Sequence, residues 1–189
     1  LQYMPKRLML SEAKIKKLKT LSKLIVEGNE KHNLTSYKHG DKFFFEQIDD
    51  CVQAYNICSQ SVKENLIDYG SGSGIPGLVW AILNEKIKVL SIDSSQKKIE
   101  FQKTLIRKLE LQNAACKHTR LEEHNFSNEH TAVFKAFSTL KTAIQKSKPN
   151  KKRANLLFLK KNNEKTQEEI LEIKPCLLYT SDAADDTRS

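Results

Sequence analysis

The segment Asp68-Tyr69-Gly70-Ser71-Gly72-Ser73-Gly74-Ile75-Pro76-Gly77 constrains this chain more than any other. Leu66-Ile67-Asp68-Tyr69 reads as a short strand, the closely spaced glycines as a tight turn, and Pro76 suits the first turn of a helix running to about Asn84. Such a turn needs glycine because positive φ is cheap only without a Cβ. Bare backbone also lets a ligand lie against peptide groups at the positive end of the helix.

The alternation begun there continues. Ile87 to Ile92 reads as a second strand, and Ser94 or Ser95 caps a helix carrying Ile99, Leu105, Ile106 and Leu109. Further strands are predicted at Ala114–His118, Thr131–Lys135 and Ala154–Leu159, with helices between and after them. The expected fold class is α/β: a doubly wound, Rossmann-like, mostly parallel sheet with a ligand crevice at the carboxyl ends of its strands. Two helices precede it. One starts at Ser11 and carries Ile15, Leu18, Leu21, Leu24 and Ile25 at helical spacing; the other is capped by Asp41 and buries Phe44, Ile48, Val52 and Tyr55.

The domain reading is therefore a helical segment over 1–62 packed on a core over 63–175. From Cys176 to Ser189 lysine disappears, acidic residues cluster and periodicity stops, so that tail reads as foreign and is set aside. Leu1 in place of Met also points to a fragment.

At 189 residues one domain is expected. Lys plus Arg number 32 against 23 Asp plus Glu, a net charge of +9 that favours polyanionic partners. No apolar run long enough to span a bilayer and no secretory signal occur, so a cytoplasmic protein without membrane contact is expected. Cys51, Cys58, Cys116 and Cys176 form no CxxC pair, and His32, His39, His118, His124 and His130 lack metal-ligand spacing; no metal is expected.

Residues 72–77 satisfy GxGxxG, which on its own admits a nicotinamide-dependent oxidoreductase. Asp68, two residues before the first glycine, would repel a pyrophosphate and suits a cation. Asp93, ending the next strand, suits ribose hydroxyls. S-adenosylmethionine offers an ammonium, a sulfonium and a ribose but no phosphate.

Taken in order, Asn33-Leu34-Thr35-Ser36, the glycine segment, Asp93-Ser94-Ser95-Gln96-Lys97-Lys98, Arg120-Leu121-Glu122-Glu123 and Lys135-Ala136-Phe137-Ser138-Thr139-Leu140 form a specific set. Over about residues 15 to 161 the chain resembles the RsmG (GidB) family of bacterial 16S ribosomal RNA methyltransferases. The resemblance implies N7 methylation of a guanine, S-adenosylmethionine as cofactor, and 16S rRNA or the small ribosomal subunit as partner; a monomer is expected. It implies a methionine and ribose pocket around Gly70, Gly72, Gly74 and Ile75 with Asp68, Asp93 on the ribose hydroxyls, and adenine-side contacts from Leu121 and Glu122. Lys135 falls where the family usually has an arginine near cofactor and target, and Lys160 matches the lysine ending the following core strand. Both are expected to orient phosphates and offset charge near the base. Lysine lacks the planar fork of arginine, Gln47 stands where a histidine is common, Lys161 where a glycine is common, and against the family's usual seven-stranded sheet the last strands are missing if residues 176–189 are foreign.

Guanine N7 presents an exposed lone pair, so no general base is needed, in keeping with the missing Ser/His or Cys/His constellation. Lys16, Lys17, Lys19 and Lys23, with the run Lys146–Arg153, are expected to grip the RNA backbone. Tyr69 is a candidate for stacking, whereas Phe134 and Phe137 are expected to pack in the core. A non-enzymatic alternative is an RNA-binding scaffold that has lost turnover.

Overall fold

Five strands, β1 (Asn65–Tyr69), β2 (Lys88–Asp93), β3 (Ala114–His118), β4 (His130–Lys135) and β5 (Ala154–Leu159), form one parallel sheet in the order β3-β2-β1-β4-β5. The computed structural model describes residues 10–32, 35–124, 126, 128–136, 138–147, 154–160 and 163–172. Of the sequence readings, those on Asn33, Leu34, Phe137, Lys148–Arg153, Lys161 and the tail Cys176–Ser189 lie outside the described residues.

The strands lie within a residue or so of their predicted bounds, and the expected α/β sheet is the one found. Chain order runs from β1 outward to β3, then returns to the other side of β1 for β4. That reversal opens a crevice beyond the carboxyl ends of the central strands, where Tyr69 is opposite Ile92 and Asp93 is opposite His118.

Among the described residues four α-helices accompany the strands: α4 (Gly77–Leu83), α5 (Gln96–Lys108), α6 (Leu140–Lys146) and α7 (164–172). Every residue of α4 is buried, because it lies between the sheet and the N-terminal helices and has no solvent face to keep polar. Those helices are α1 (Glu12–His32), α2 (Gly40–Phe43) and α3 (Asp49–Cys58). They share one core with the sheet: Leu18, Leu21, Ile25, Phe43, Ile48 and Cys51 pack with Leu66, Leu78, Trp80 and Val89. The indole N–H of Trp80, wholly enclosed, donates to the Cys51 carbonyl at 2.9 Å. A buried indole left unpaired would cost a desolvation penalty, so this bond fixes where α3 crosses α4.

Three expectations for the N-terminal helices need correction. The second helix runs unbroken from residue 40 to 58 but is not α-helical throughout: Phe44–Ile48 forms a π-turn between α2 and α3. The wider turn rotates the buried face, so Phe43 is enclosed, Phe44 is half-buried and Phe45 is 72% exposed, while Ile48, Val52 and Tyr55 are buried as expected. Its N-cap is His39, with Asp41 inside the first turn at the positive end of the helix rather than capping it. In α1, Ile15 faces solvent although it shares the apolar spacing of Leu18 and Leu21.

Candidate functional site

The glycine loop leaves β1 with Gly70, Gly72 and Gly74 at φ of 69°, 56° and 98°. Side chains rarely adopt such angles, which is why the sequence places glycine there. The N–H groups of Gly70, Ser71, Gly72 and Gly74 turn inward. Gly70 and Ser71 both donate to the Ile92 carbonyl, at 2.8 and 3.0 Å, and Gly74 donates to the Ser71 carbonyl at 2.7 Å. Gly72 donates to Asp93 Oδ2 at 2.9 Å, and Gly77 donates to Asp68 Oδ2 at 2.8 Å.

The two acids therefore hold the loop from opposite sides. Asp68 is 1% exposed and sits behind the loop at the start of α4, not in the cleft. Its Oδ1 has no partner among the described residues. Burial pushes its carboxyl up to about 7; the Gly77 N–H opposes this, the Asp93 charge adds to it, and the Lys135 charge opposes it. Asp93 faces the cleft instead. Besides Gly72 it accepts from the Ser95 N–H through Oδ1 at 2.8 Å, so each oxygen holds one N–H and keeps a second lone-pair direction.

The cleft, about 300 Å³, is lined by Tyr69, Gly70, Ile92, Asp93, Ser94, Lys98, Thr119, Arg120, Leu121, Glu122, Ala136 and Lys146. It thus gathers Gly70, Asp93, Leu121 and Glu122 from the sequence-predicted set, leaving Gly72, Gly74, Ile75, Asp68, Lys135 and Lys160 outside its wall. Glu122 accepts from Lys146 Nζ at 2.6 Å, which holds its carboxyl below the usual range. Ala136, in the left-handed region at φ 51°, turns the chain off β4 and into the wall. Tyr69 is 1% exposed and stacks on Phe134 with centroids 5.5 Å apart, and Phe134 stacks on Phe158 at 5.1 Å, so these rings serve the core beneath the cleft.

Lys135, 15% exposed along its side chain, donates to Gln47 Oε1 at 2.6 Å and has Asp50 Oδ2 at 3.9 Å. Lys160 donates to the Ser138 carbonyl and to Glu169 Oε2, both at 2.7 Å, tying the end of β5 to α7. Sequence reasoning missed Gln102, whose fully buried amide donates to Ser71 Oγ at 2.8 Å and the Gly72 carbonyl at 2.9 Å. The signal was present: a polar residue midway between Ile99 and Leu105 on the apolar stripe of α5. Lys98, Arg120 and Lys146 were also missed as wall residues, since basic side chains on a Lys-rich surface carry no local mark of what they face.

The family described as rRNA small subunit methyltransferase G matches residues 14–183, reaching into the stretch set aside above as foreign. The chain belongs to that family. Among curated members, the ribosomal RNA small subunit methyltransferase G of Clostridium botulinum (strain ATCC 19397 / Type A) is 34% identical over 120 residues, 64% of this chain and 50% of that protein. The member from Thermotoga neapolitana is 32% identical over 155 residues, 79% of this chain and 65% of that protein. The chain spans about half the length of the first of these family members. Two solved structures share the fold: coclaurine N-methyltransferase bound to N-methylheliamine and SAH (TM-score 0.51, 16% identity, 82% of this chain and 52% of that one) and the StiE O-MT (TM-score 0.53, 15% identity, 69% and 50%).

Proposed function

We propose that this chain carries the cofactor site of an S-adenosylmethionine-dependent methyltransferase that methylates N7 of a guanine in 16S ribosomal RNA. One observation carries the choice of cofactor: the N–H groups of Gly70, Ser71, Gly72, Gly74 and Gly77 are committed to acceptors within the protein. A pyrophosphate cradle needs such groups turned outward, and the start of α4 is already taken by a carboxylate. A ligand with a ribose and no phosphate suits this loop, which disfavours the dinucleotide alternative. The residues present fit such a ligand. Asp93 keeps lone pairs for ribose hydroxyls, Ile92, Leu121 and Ala136 offer apolar surface for a purine, and the volume lies at the lower end of ligand clefts, about 300–1,000 Å³.

When bound, the cofactor supplies a methyl group on a positively charged sulfur. The chain's own residues then have little proton chemistry to do, since guanine N7 attacks through a lone pair. Asp93 orients the ribose, the wall from Leu121 to Glu122 sets the purine side, and Lys135 places positive charge beside the mouth, where it orients RNA phosphate. Lys16, Lys19 and Lys23 add to the positive field that draws in RNA.

The test is mass spectrometry of 16S RNA, free and within the small subunit, after incubation with protein and methyl-labelled cofactor. Label in 7-methylguanosine is expected. No transfer together with a saturating fluorescence titration by NADH would overturn the reading, while cofactor binding without transfer would leave an RNA-binding scaffold.

A further inference from the structure

The N-terminal helices reach the carboxyl end of the sheet through one chain of polar contacts. Tyr37 donates its hydroxyl to Glu46 Oε2 at 2.7 Å and accepts from Gln47 Nε2 at 3.1 Å. The Gln47 carbonyl oxygen accepts from Lys135 Nζ at 2.6 Å. Each link has one chemically sensible direction: an ammonium donates only, so it selects the amide oxygen, and the amide nitrogen is left for the phenol oxygen. The bond from Tyr37 to Glu46 keeps the phenol protonated, and its hydroxyl pKa is raised by that same carboxylate.

Gln47 lies in the π-turn Phe44–Ile48, and single π-turns inside α-helices are frequent at functional sites. Its target is well placed. Lys135 is the last residue of β4 and the next residue, Ala136, is already part of the cleft wall. A lysine carries its charge on a flexible four-carbon stem and, unlike arginine, brings no planar fork to direct it. The nearest carboxylate, Asp50, is 3.9 Å away with its side chain 63% exposed, too screened to fix a direction. The short, directed contact of the ammonium is its bond to the Gln47 carbonyl oxygen.

We propose that Gln47 is a positioning residue for the methyl-transfer site: its carbonyl oxygen aims the Lys135 ammonium beside the Ala136 wall, and Tyr37 holds the Gln47 amide in the required orientation. This rests on the methyltransferase reading above. One Lys135 proton is spent on Gln47, which leaves donors for an incoming RNA phosphate. The helical segment thereby sets the charge at the mouth as well as covering the core.

The experiment compares the full chain with its Gln47→Leu, Gln47→Glu, Lys135→Met and doubly substituted Gln47→Leu/Lys135→Met forms by two readouts. The first is the acetylation rate of Lys135 under a limiting amine-reactive ester, read by peptide mass spectrometry, with Lys160 as internal reference. Gln47→Leu is expected to speed it about tenfold, the worth of one charge-assisted hydrogen bond, and Gln47→Glu to restore slow labelling. The second is affinity for a 16S RNA fragment with S-adenosylhomocysteine bound. Gln47→Leu and Lys135→Met should each weaken it, and the double form should be no weaker than Lys135→Met alone. Unchanged acetylation, or losses that simply add, would overturn the positioning role. A wild-type chain that fails to bind S-adenosylhomocysteine would instead overturn the methyltransferase reading and, with it, the purpose assigned to Gln47.

Discussion

Asp68 at the end of β1 accepts the backbone N–H of Gly77, the first residue of α4, at 2.8 Å, so a strand and the helix that follows it are stapled beneath the loop that joins them. The carboxylate satisfies an N–H that has no partner within the helix and meets its positive end. It does so in a site closed to water, where ionisation is expensive.

That conflict has a pH signature. Burial pushes the folded-state carboxyl up to about 7 from the ordinary 3.8 of an aspartate, so its contribution to stability is fullest below about pH 3.8 and is lost as pH rises through about 7. Asp68→Asn keeps an acceptor for Gly77 and cannot ionise. Relative to the parent chain, it should gain about 2–3 kcal/mol of stability between about pH 5 and about pH 8, at about 1.36 kcal/mol per pKa unit. Any cost of the unpaired amide hydrogens is independent of pH and cancels. Urea unfolding of both proteins at the two pH values checks this; parallel profiles would mean that Asp68 is not the buried titrating group.

The same contact leaves no room for a side chain at position 77. A Cβ there would stand 2.8 Å from Asp68 Oδ2, 3.0 Å from the Asp68 Cβ and 3.1 Å from Ser91 Oγ. Alanine would gain about 1 kcal/mol of helix propensity, but overpacking against an immobile strand costs about 1–3 kcal/mol. Gly77→Ala should therefore be destabilising. Gly40→Ala, where the nearest atom is the Lys23 Cα at an ordinary 3.5 Å, should be neutral or slightly stabilising. Calorimetric melting of the two variants decides the comparison, and an equal response would contradict it.

Most of the fold is legible in the sequence because strand, glycine turn and helix each leave a local mark. The π-turn at Phe44–Ile48 leaves none: Phe43, Phe44 and Phe45 are chemically alike, and only packing against α1 decides which one is buried. For the site, Asp93 is placed by its position at the end of a strand, and the structure sets it in the cleft. Asp68 illustrates the limit. Its spacing from the glycines marks it as special, but whether the carboxylate points to a ligand or to the following helix depends on the approach of Gly77 in space. Gln102 was readable as a polar interruption of the α5 stripe, although its targets, Ser71 and Gly72, lie 31 and 30 residues earlier.

Lys160 offers a separation of structural from chemical roles. Its ammonium is bonded to the Ser138 carbonyl and to Glu169 Oε2, and that same oxygen accepts the Leu140 N–H at 3.0 Å. One carboxylate thus joins the end of β5, the start of α6 and α7. Lys160→Met should lower the melting temperature while affinity for S-adenosylhomocysteine stays within about twofold, under half a kcal/mol. A large loss of affinity or transfer with unchanged melting would place Lys160 in the chemistry instead.

Asp93 is where loop architecture and ligand binding meet. Its two oxygens hold Gly72 on the loop and Ser95 at the start of α5, and the same carboxylate faces the cleft. Asp93→Ala removes both anchors together with the acceptor for ribose hydroxyls. Each hydrogen bond to a charged group is worth about 1.5–3 kcal/mol, so S-adenosylhomocysteine should bind about 10- to 100-fold more weakly. Asp93→Asn separates the contributions: it retains one acceptor oxygen, but its amide hydrogens must meet the N–H of either Gly72 or Ser95 head-on, so it should bind little better than alanine. Titration calorimetry on folded, monodisperse variants measures both. Affinity unchanged in Asp93→Ala would remove the cleft between Gly70 and Glu122 as the cofactor site.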